Sequence, residues 1–140
     1  MKESEKVLLI EYRRDKAFDT LNEIQILLDN KLFSTAMNRI YYAGFYIASA
    51  LVLFDDFSTS KHKQLIGFFN NKYIRTNLID FKSGEILNKS FQKRSLADYG
   101  DFIIVSEMET VEYYRRITEF VKEVDRIIQN RLQALKNNGS

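Results

Sequence analysis

Residues 33–55, FSTAMNRIYYAGFYIASALVLFD, carry the strongest structural signal in the chain. Apolar residues recur at alternating intervals of four and three, which is the spacing of a packing face on an α-helix: Phe33, Met37, Ile40, Gly44, Ile47, Leu51 and Phe54. Another side of the same helix carries the stripe Asn38, Tyr42, Tyr46 and Ser49. A helix with two such sides is expected at the centre of a bundle, in contact with neighbouring helices all round.

Gly44 lies in the middle of the apolar stripe. Glycine inside a helix costs about 1 kcal/mol relative to alanine. A close helix crossing at Gly44 is therefore predicted.

Helical patterns also cover residues 5–29, 61–75 and 84–99, and a Ser-x-x-Glu capping box at Ser106 starts a long last helix. The chain has no proline and only five glycines in 140 residues, which favours long helices over many-turned β structure. We predict an all-α fold, a single-domain antiparallel bundle of about five helices over residues 1–140. Its core is expected at about 5–135, with a disordered tail at 137–140.

Several classes of site are excluded by composition. The chain has no cysteine and one histidine, so disulfides, thiol nucleophiles and multi-histidine metal sites are ruled out. It also lacks a P-loop, a glycine-rich dinucleotide turn and a Gly-x-Ser-x-Gly elbow. No window is long and apolar enough to cross a membrane. We therefore expect a cytoplasmic protein with no membrane association, no metal and no cofactor.

The net charge of +2 is unevenly distributed along the chain. Residues 61–94 hold eight basic and two acidic side chains, whereas the segments on either side are mildly acidic. Such a basic segment is typical either of a phosphate-binding surface or of an ordinary solvated lysine-rich face.

Two groups of polar residues on the second and third helices are candidates for a site. Asn38 and Tyr42, one turn apart, either bind a ligand or form a buried hydrogen-bonded stripe that fixes helix register. His62 follows Lys61 at the head of an apolar stripe, so its ring should face the bundle. It is either a general acid or base or a core histidine paired with a neighbour.

Arg94 is the third candidate, because it continues an apolar stripe three residues after Phe91 and four before Asp98. Arginines are mostly exposed, so this position needs an explanation. Either Arg94 and Asp98 form an i,i+4 ion pair, or the guanidinium binds phosphate with Asp98 orienting it. We expect Arg94 to project inward, near Asn38 or Tyr42.

These groups together resemble the HEPN domain family, over roughly residues 10–130. The resemblance rests on three motifs in order on successive helices: Asn38-Arg39-x-Tyr41-Tyr42-Ala43, Ser60-Lys61-His62-Lys63 and Arg94-x-x-Ala97-Asp98-Tyr99. It implies a small helical bundle that commonly dimerises. For many members it also implies a metal-independent endoribonuclease in toxin–antitoxin, phage-defence or stress systems, beside a minimal nucleotidyltransferase.

The nuclease motif of that family is an arginine followed, after four to six intervening residues, by histidine. Arg94 matches the arginine, but Tyr99, Gly100 and Asp101 occupy the three possible histidine positions. The reference pKa of tyrosine, about 10, makes Tyr99 a poor base at neutral pH. His62 can replace the missing histidine only if the third helix brings it beside Arg94.

The sequence is therefore compatible with three functions. The first is a nucleotide- or RNA-phosphate-binding module without ribonuclease activity, using Arg94, Asn38, Tyr42 and Lys61. The second is an active metal-independent endoribonuclease toxin, using Arg94 with Asp98, Tyr99 or His62. The third is a structural partner subunit of a minimal nucleotidyltransferase. The missing histidine argues against enzyme activity.

A homodimer is also predicted. The two-sided second helix, the apolar run Ile103-Ile104-Val105 and the family resemblance all favour it.

Overall fold

The protein is a bundle of five α-helices in the computed structural model, which describes residues 1–99 and 105–138, with the backbone alone for 95–99. No strand occurs among these residues. The all-α prediction is confirmed. The helices are α1 (Glu3–Asp29), α2 (Phe33–Leu51), α3 (His62–Phe69), α4 (Phe81–Tyr99) and α5 (Glu107–Asn138). A 3-10 turn, Val52–Asp55, follows α2, and a π-helical segment, Asn70–Ile74, follows α3.

Helix α2 lies at the centre of the bundle, where it packs against α1, α3, α4 and α5. Its predicted packing stripe is buried, with Met37, Ile40, Ile47 and Leu51 fully inaccessible to solvent. At Gly44 a Cβ atom would lie 2.8 Å from Ile117 Cδ1 of α5 and 3.1 Å from Leu87 Cδ1 of α4. The predicted close helix contact at Gly44 is confirmed.

Helix α4 begins at Phe81 and not at residue 84, where the pattern had suggested its start. Gly84 therefore lies inside the first turn of α4 and is buried. A Cβ atom there would collide with the side chain of Ile74 from the π-helical segment. The glycine marks a close packing contact, which a sequence pattern does not distinguish from a helix boundary.

The capping box predicted at Ser106 is formed in part. Ser106 Oγ accepts a hydrogen bond from the backbone N–H of Glu109 at 3.1 Å. The Glu109 carboxylate pairs at 2.7 Å with Lys93 of α4 and so ties the start of α5 to that helix.

The C-terminal end of α5 includes residues expected to belong to the tail. The helix continues through Asn138, and residues 139–140 lie outside the described part of the chain.

Tyr73 joins three elements through its hydroxyl group. Its side chain is fully buried, and its hydroxyl donates to Asp55 Oδ2 at 2.5 Å. The same oxygen accepts a hydrogen bond from Arg131 Nη1 at 2.6 Å. Burial, together with the Asp55 carboxylate, raises the pKa of the Tyr73 phenol, so this group stays protonated at neutral pH.

No helix within the described ranges is long and apolar enough to cross a membrane.

Candidate functional site

An aromatic cluster lies where α2, α3 and α4 meet, formed by Tyr41, Tyr42, Phe45, His62 and Phe91. The ring centroids of Phe45 and His62 are 4.5 Å apart, and those of Tyr41 and Phe91 are 5.3 Å apart. The Tyr41 and Tyr42 rings also meet edge to face at 5.3 Å. The cluster forms because positions 41, 42 and 45 share one side of α2, facing the first residue of α3.

Arg94 lies against this cluster from α4, three residues beyond Phe91. Its Nη2 donates a hydrogen bond to the Tyr42 hydroxyl oxygen at 3.1 Å. The guanidinium carbon lies 5.1 Å from the Tyr42 ring centroid and 5.5 Å from that of Tyr41. A cation within about 6 Å of an aromatic face is attracted by the ring quadrupole. Two tyrosines therefore help to fix the orientation of the Arg94 guanidinium.

His62 is bound to the same cluster through its Nδ1, which lies 2.6 Å from the Tyr41 hydroxyl. Tyr41 is fully buried, and burial raises the pKa of its phenol. Burial also lowers the pKa of His62, and the positive charge of Arg94 lowers it further. The imidazole is thus neutral at neutral pH, with Nδ1 engaged by Tyr41 and Nε2 remaining as the nitrogen that can face a ligand.

Asn38 and Lys61, two further predicted site residues, are not members of the aromatic cluster. Asn38 is half-buried on α2, one turn before Tyr42. Lys61 is exposed at the N-terminal cap of α3, next to His62. The side chains of Asp98 and Tyr99 lie outside the described part of the structure, and so does the predicted pairing of Arg94 with Asp98.

The basic segment 61–94 is partly neutralised by ion pairs. Lys72 lies 3.9 Å from Asp55, and Lys89 lies 3.0 Å from Glu85. Lys61 and Lys63 are exposed, and neither forms an ion pair with any residue that the structure describes. Part of the positive charge that remains open to solvent therefore lies beside His62 at the start of α3, and the exposed Arg75 and Lys82 hold the rest of it farther along the segment.

The start of α3 presents backbone donors as well as lysines. No side chain caps it, so the N–H groups of its first turn have no capping partner among the described residues. Such helix termini favour anions. No group of three or more His, Asp or Glu side chains in the described ranges is arranged to hold a metal ion.

The sequence did not reveal the role of Tyr41. Tyr41 belongs to the motif Asn38-Arg39-x-Tyr41-Tyr42-Ala43, but it lies between the two stripes of α2, so neither stripe marks it. Its contact with His62 depends on how α3 crosses α2, which no spacing within one helix can show. The one available signal was its own position four residues after Met37, which places it on a buried side of the helix.

Comparison with known proteins identifies the family of this chain. The HEPN domain family model matches residues 10–131. A protein named "UPF0332 protein" from Thermotoga maritima is 34% identical over 127 residues, covering 91% of this chain and 96% of the relative. Two proteins of Methanocaldococcus jannaschii, each named "Putative toxin", are 31% and 33% identical over 114 residues. These matches cover 77% of this chain, and 77% and 85% of the respective relatives. The chain therefore belongs to the HEPN domain family.

Proposed function

We propose that this HEPN protein is a toxin-family member that binds a phosphate group of RNA or of a nucleotide beside Arg94. The observation that carries the proposal is the guanidinium of Arg94, held by Tyr42 and Tyr41 next to His62. Support for a toxin-like role comes from the names of the two archaeal relatives.

Phosphate chemistry suits this site for three reasons. A guanidinium held in a fixed orientation offers two parallel N–H donors, which match two phosphate oxygens. Lys61 and Lys63, on either side of His62 in the chain, are exposed and add positive charge. The uncapped first turn of α3 adds backbone N–H groups that favour an anion.

Binding of a fluorescein-labelled single-stranded RNA, followed by fluorescence anisotropy, tests this proposal. Arg94→Ala should weaken binding at least tenfold, and Arg94→Lys should restore only part of the loss because lysine lacks the planar fork. Lys89→Ala is the matched control, because it removes a basic residue of α4 that is already paired with Glu85. The slope of log affinity against log salt should fall by about 1 when Arg94 is removed. Equal affinities for Arg94→Ala and Lys89→Ala would contradict the proposal.

A second candidate function, metal-independent RNA cleavage, is favoured by the position of His62. In such a reaction the 2′-hydroxyl oxygen bonds to phosphorus while the bond to the 5′-oxygen breaks. A neutral imidazole can accept the 2′-hydroxyl proton at Nε2 if Nδ1–H donates to the Tyr41 oxygen. Arg94 would stabilise the charge that develops on the phosphate.

Cleavage of labelled RNA in the presence of EDTA distinguishes the two functions. A ribonuclease should yield fragments ending in 2′,3′-cyclic phosphate, and His62→Gln should abolish cleavage while leaving RNA binding within threefold of wild type. Binding without any cleavage supports the module without enzyme activity. If the protein neither binds nor cleaves RNA or nucleotides, the proposal of a structural partner for a minimal nucleotidyltransferase takes precedence. Co-purification with that partner then tests it.

We also propose a homodimer, supported by the family and by apolar side chains at the start of α5. Met108 is 84% exposed and Val111 is 49% exposed. Residues 103 and 104 of the apolar run lie outside the described residues. Sedimentation equilibrium at micromolar concentration should show twice the mass of one chain, and a purely monomeric species would refute the dimer.

A further inference from the structure

A cavity lined in part by amide side chains opens between the π-helical segment and α4, and Arg94 does not line it. Its volume is about 540 Å³, within the range of small-molecule sites. Four asparagine side chains line it: Asn70, Asn71, Asn77 and Asn88. Amide groups present a donor and an acceptor side by side, which is the pattern that reads the edge of a nucleobase.

Asn70 is the most informative of the four residues. Its Nδ2 donates to Asn88 Oδ1 at 3.1 Å, whereas its own Oδ1 is buried and accepts no hydrogen bond within the described residues. Buried polar atoms are normally paired, so this oxygen needs an explanation. The torsion that turns an asparagine amide is broad, and a donor placed in the cavity could therefore reach the oxygen with little rearrangement.

The backbone around Asn70 is also unusual. The α-helical pattern gives way there to a π-helical turn, closed by a 2.9 Å hydrogen bond from Arg75 N–H to the Asn70 carbonyl. Such turns are rare and occur frequently at functional sites. Asn77 adopts a left-handed conformation with φ of 62°, and its N–H bonds the Ile74 carbonyl at 3.0 Å. These features bring the asparagines to one cavity wall.

Two further lining residues suit a base. Phe81 is 62% exposed at the first position of α4, where its ring is available for stacking. The Glu85 carboxylate lies 3.0 Å from Lys89 and 3.5 Å from Arg116, and these cations keep it ionised. A carboxylate accepts hydrogen bonds from exocyclic amino groups and so favours bases that carry one.

Two contacts connect α4 to α3 and the π-helical segment that follows it: Asn70 donates to Asn88, and the His62 and Phe91 ring centroids are 6.3 Å apart. Asn88 precedes Arg94 by six residues and Asn70 follows His62 by eight, which are axial offsets of about 9 Å and 12 Å along the two helical segments. These offsets correspond to about three nucleotides at the roughly 3.4 Å rise of a stacked strand.

We propose that this asparagine-lined cavity is a nucleobase subsite, selective for bases with an exocyclic amino group. The inference rests on the proposed function in that it takes the ligand to be a nucleotide or an RNA. The base binds in the cavity, while a phosphate about three nucleotides away on the same strand lies beside Arg94.

Substitution of Gly67 can block the cavity without disturbing the fold. Gly67 lines the cavity wall, and a Cβ atom there would meet nothing within 4 Å. Gly67→Leu should therefore fold normally and fill the opening, whereas Gly67→Ala adds only one methyl group. Phe81→Ala removes the stacking ring. Its matched control is Leu78→Ala, which removes a side chain that is 56% exposed and does not line the cavity.

The probes are adenosine, cytidine and uridine, which carry no phosphate and so report on the cavity independently of Arg94. Saturation-transfer NMR should show contact through the base protons, with uridine binding at least fivefold more weakly than the other two. Gly67→Leu and Phe81→Ala should lower adenosine affinity at least fivefold, whereas Gly67→Ala and Leu78→Ala should stay within twofold of wild type. Absence of nucleoside binding, or equal binding by all four variants, would overturn the inference.

The RNA assay then separates the two sources of the base. If Gly67→Leu weakens RNA binding, the base belongs to the RNA chain; if only nucleosides are affected, the site takes a free nucleotide. The subsite and the proposed function fail separately. If Arg94→Ala loses RNA binding but the wild-type protein binds no nucleoside, the nucleobase subsite is refuted and the phosphate site stands. If the wild-type protein binds nucleosides but Arg94→Ala binds RNA as well as wild type does, the phosphate site is refuted and the nucleobase subsite stands.

Discussion

Gly44 and Gly67 form a matched pair of helical glycines with opposite surroundings. A Cβ at Gly44 would lie 2.8 Å from Ile117 Cδ1 and 3.1 Å from Leu87 Cδ1, whereas a Cβ at Gly67 meets nothing within 4 Å. Carbon atoms in contact prefer about 3.5–4.0 Å. A methyl group at position 44 therefore requires the neighbours to retreat by at least roughly 0.4–0.7 Å. Ile117 and Leu87 are both fully buried, so little free space is available to them.

The expected magnitudes follow from two opposing effects. Replacing glycine by alanine inside a helix stabilises by about 1 kcal/mol. Overpacking a closed core destabilises by about 1–3 kcal/mol. Gly67→Ala should therefore raise the free energy of unfolding by up to about 1 kcal/mol. Gly44→Ala should be neutral or lower it by up to about 2 kcal/mol, and Gly44→Leu should lower it by about 3 kcal/mol or more.

Urea unfolding followed by circular dichroism measures these differences in the free energy of unfolding, and thermal unfolding measures the matching differences in melting temperature. In a chain of 140 residues, 1 kcal/mol shifts the melting temperature by about 4 °C, so Gly44→Leu should melt roughly 12 °C lower than wild type. The result that refutes the close crossing is Gly44→Ala stabilising the protein as much as Gly67→Ala. An unchanged melting temperature for Gly44→Leu would refute it as well.

Further predictions concern His62, Tyr73 and oligomerisation. Because the chain has one histidine, proton NMR titration of the imidazole reports His62 alone. His62 should titrate below pH 6.5, the ordinary value for histidine. Arg94→Met removes the nearby positive charge and should raise the pKa of His62 towards 6.5 without reaching it, because burial still lowers it. Because the folded state binds this proton more weakly than the unfolded state, wild type should lose stability relative to His62→Gln as the pH falls below about 6.5, with a constant difference above pH 7. Tyr73→Phe leaves Asp55 and Arg131 without their shared hydroxyl, and calorimetry should show a loss of about 1.5–3 kcal/mol. A loss under about 0.5 kcal/mol would contradict that network. Cross-linking at micromolar concentration should trap a species of two chains, and its absence would argue against the dimer.

The course of the helices could be read from the sequence because it depends on local periodicity. The stripe of α2 from Met37 to Leu51 is buried as its spacing predicted. Gly44 also lies at a close crossing, as predicted. Boundaries were less predictable where tertiary contacts decide them. Gly84 resembles a helix start in the sequence, whereas the fold uses it to admit the Ile74 side chain.

The positions of site residues could be predicted from the sequence only where they depend on spacing within a single helix. Arg94 follows Phe91 on an apolar stripe, and the structure places it beside Tyr42. The contact between Tyr41 and His62 joins residues 21 positions apart on different helices, and depends on how α3 crosses α2. The Tyr73 hydroxyl meets Arg131 58 positions along the chain, which no local pattern shows.

The position of His62 bears directly on the choice between phosphate binding and RNA cleavage. Its lowered pKa suits a base that accepts the 2′-hydroxyl proton, since the neutral imidazole is already present at neutral pH. When the attacking and leaving oxygens are roughly in line across phosphorus, one ring cannot serve both. The leaving 5′-oxygen then needs a second proton donor, and the chain has no second histidine. Binding requires only the donors that Arg94 and the start of α3 already present, whereas efficient cleavage requires a further acid. On this argument we propose phosphate binding ahead of RNA cleavage, and the cleavage assay in EDTA decides between them.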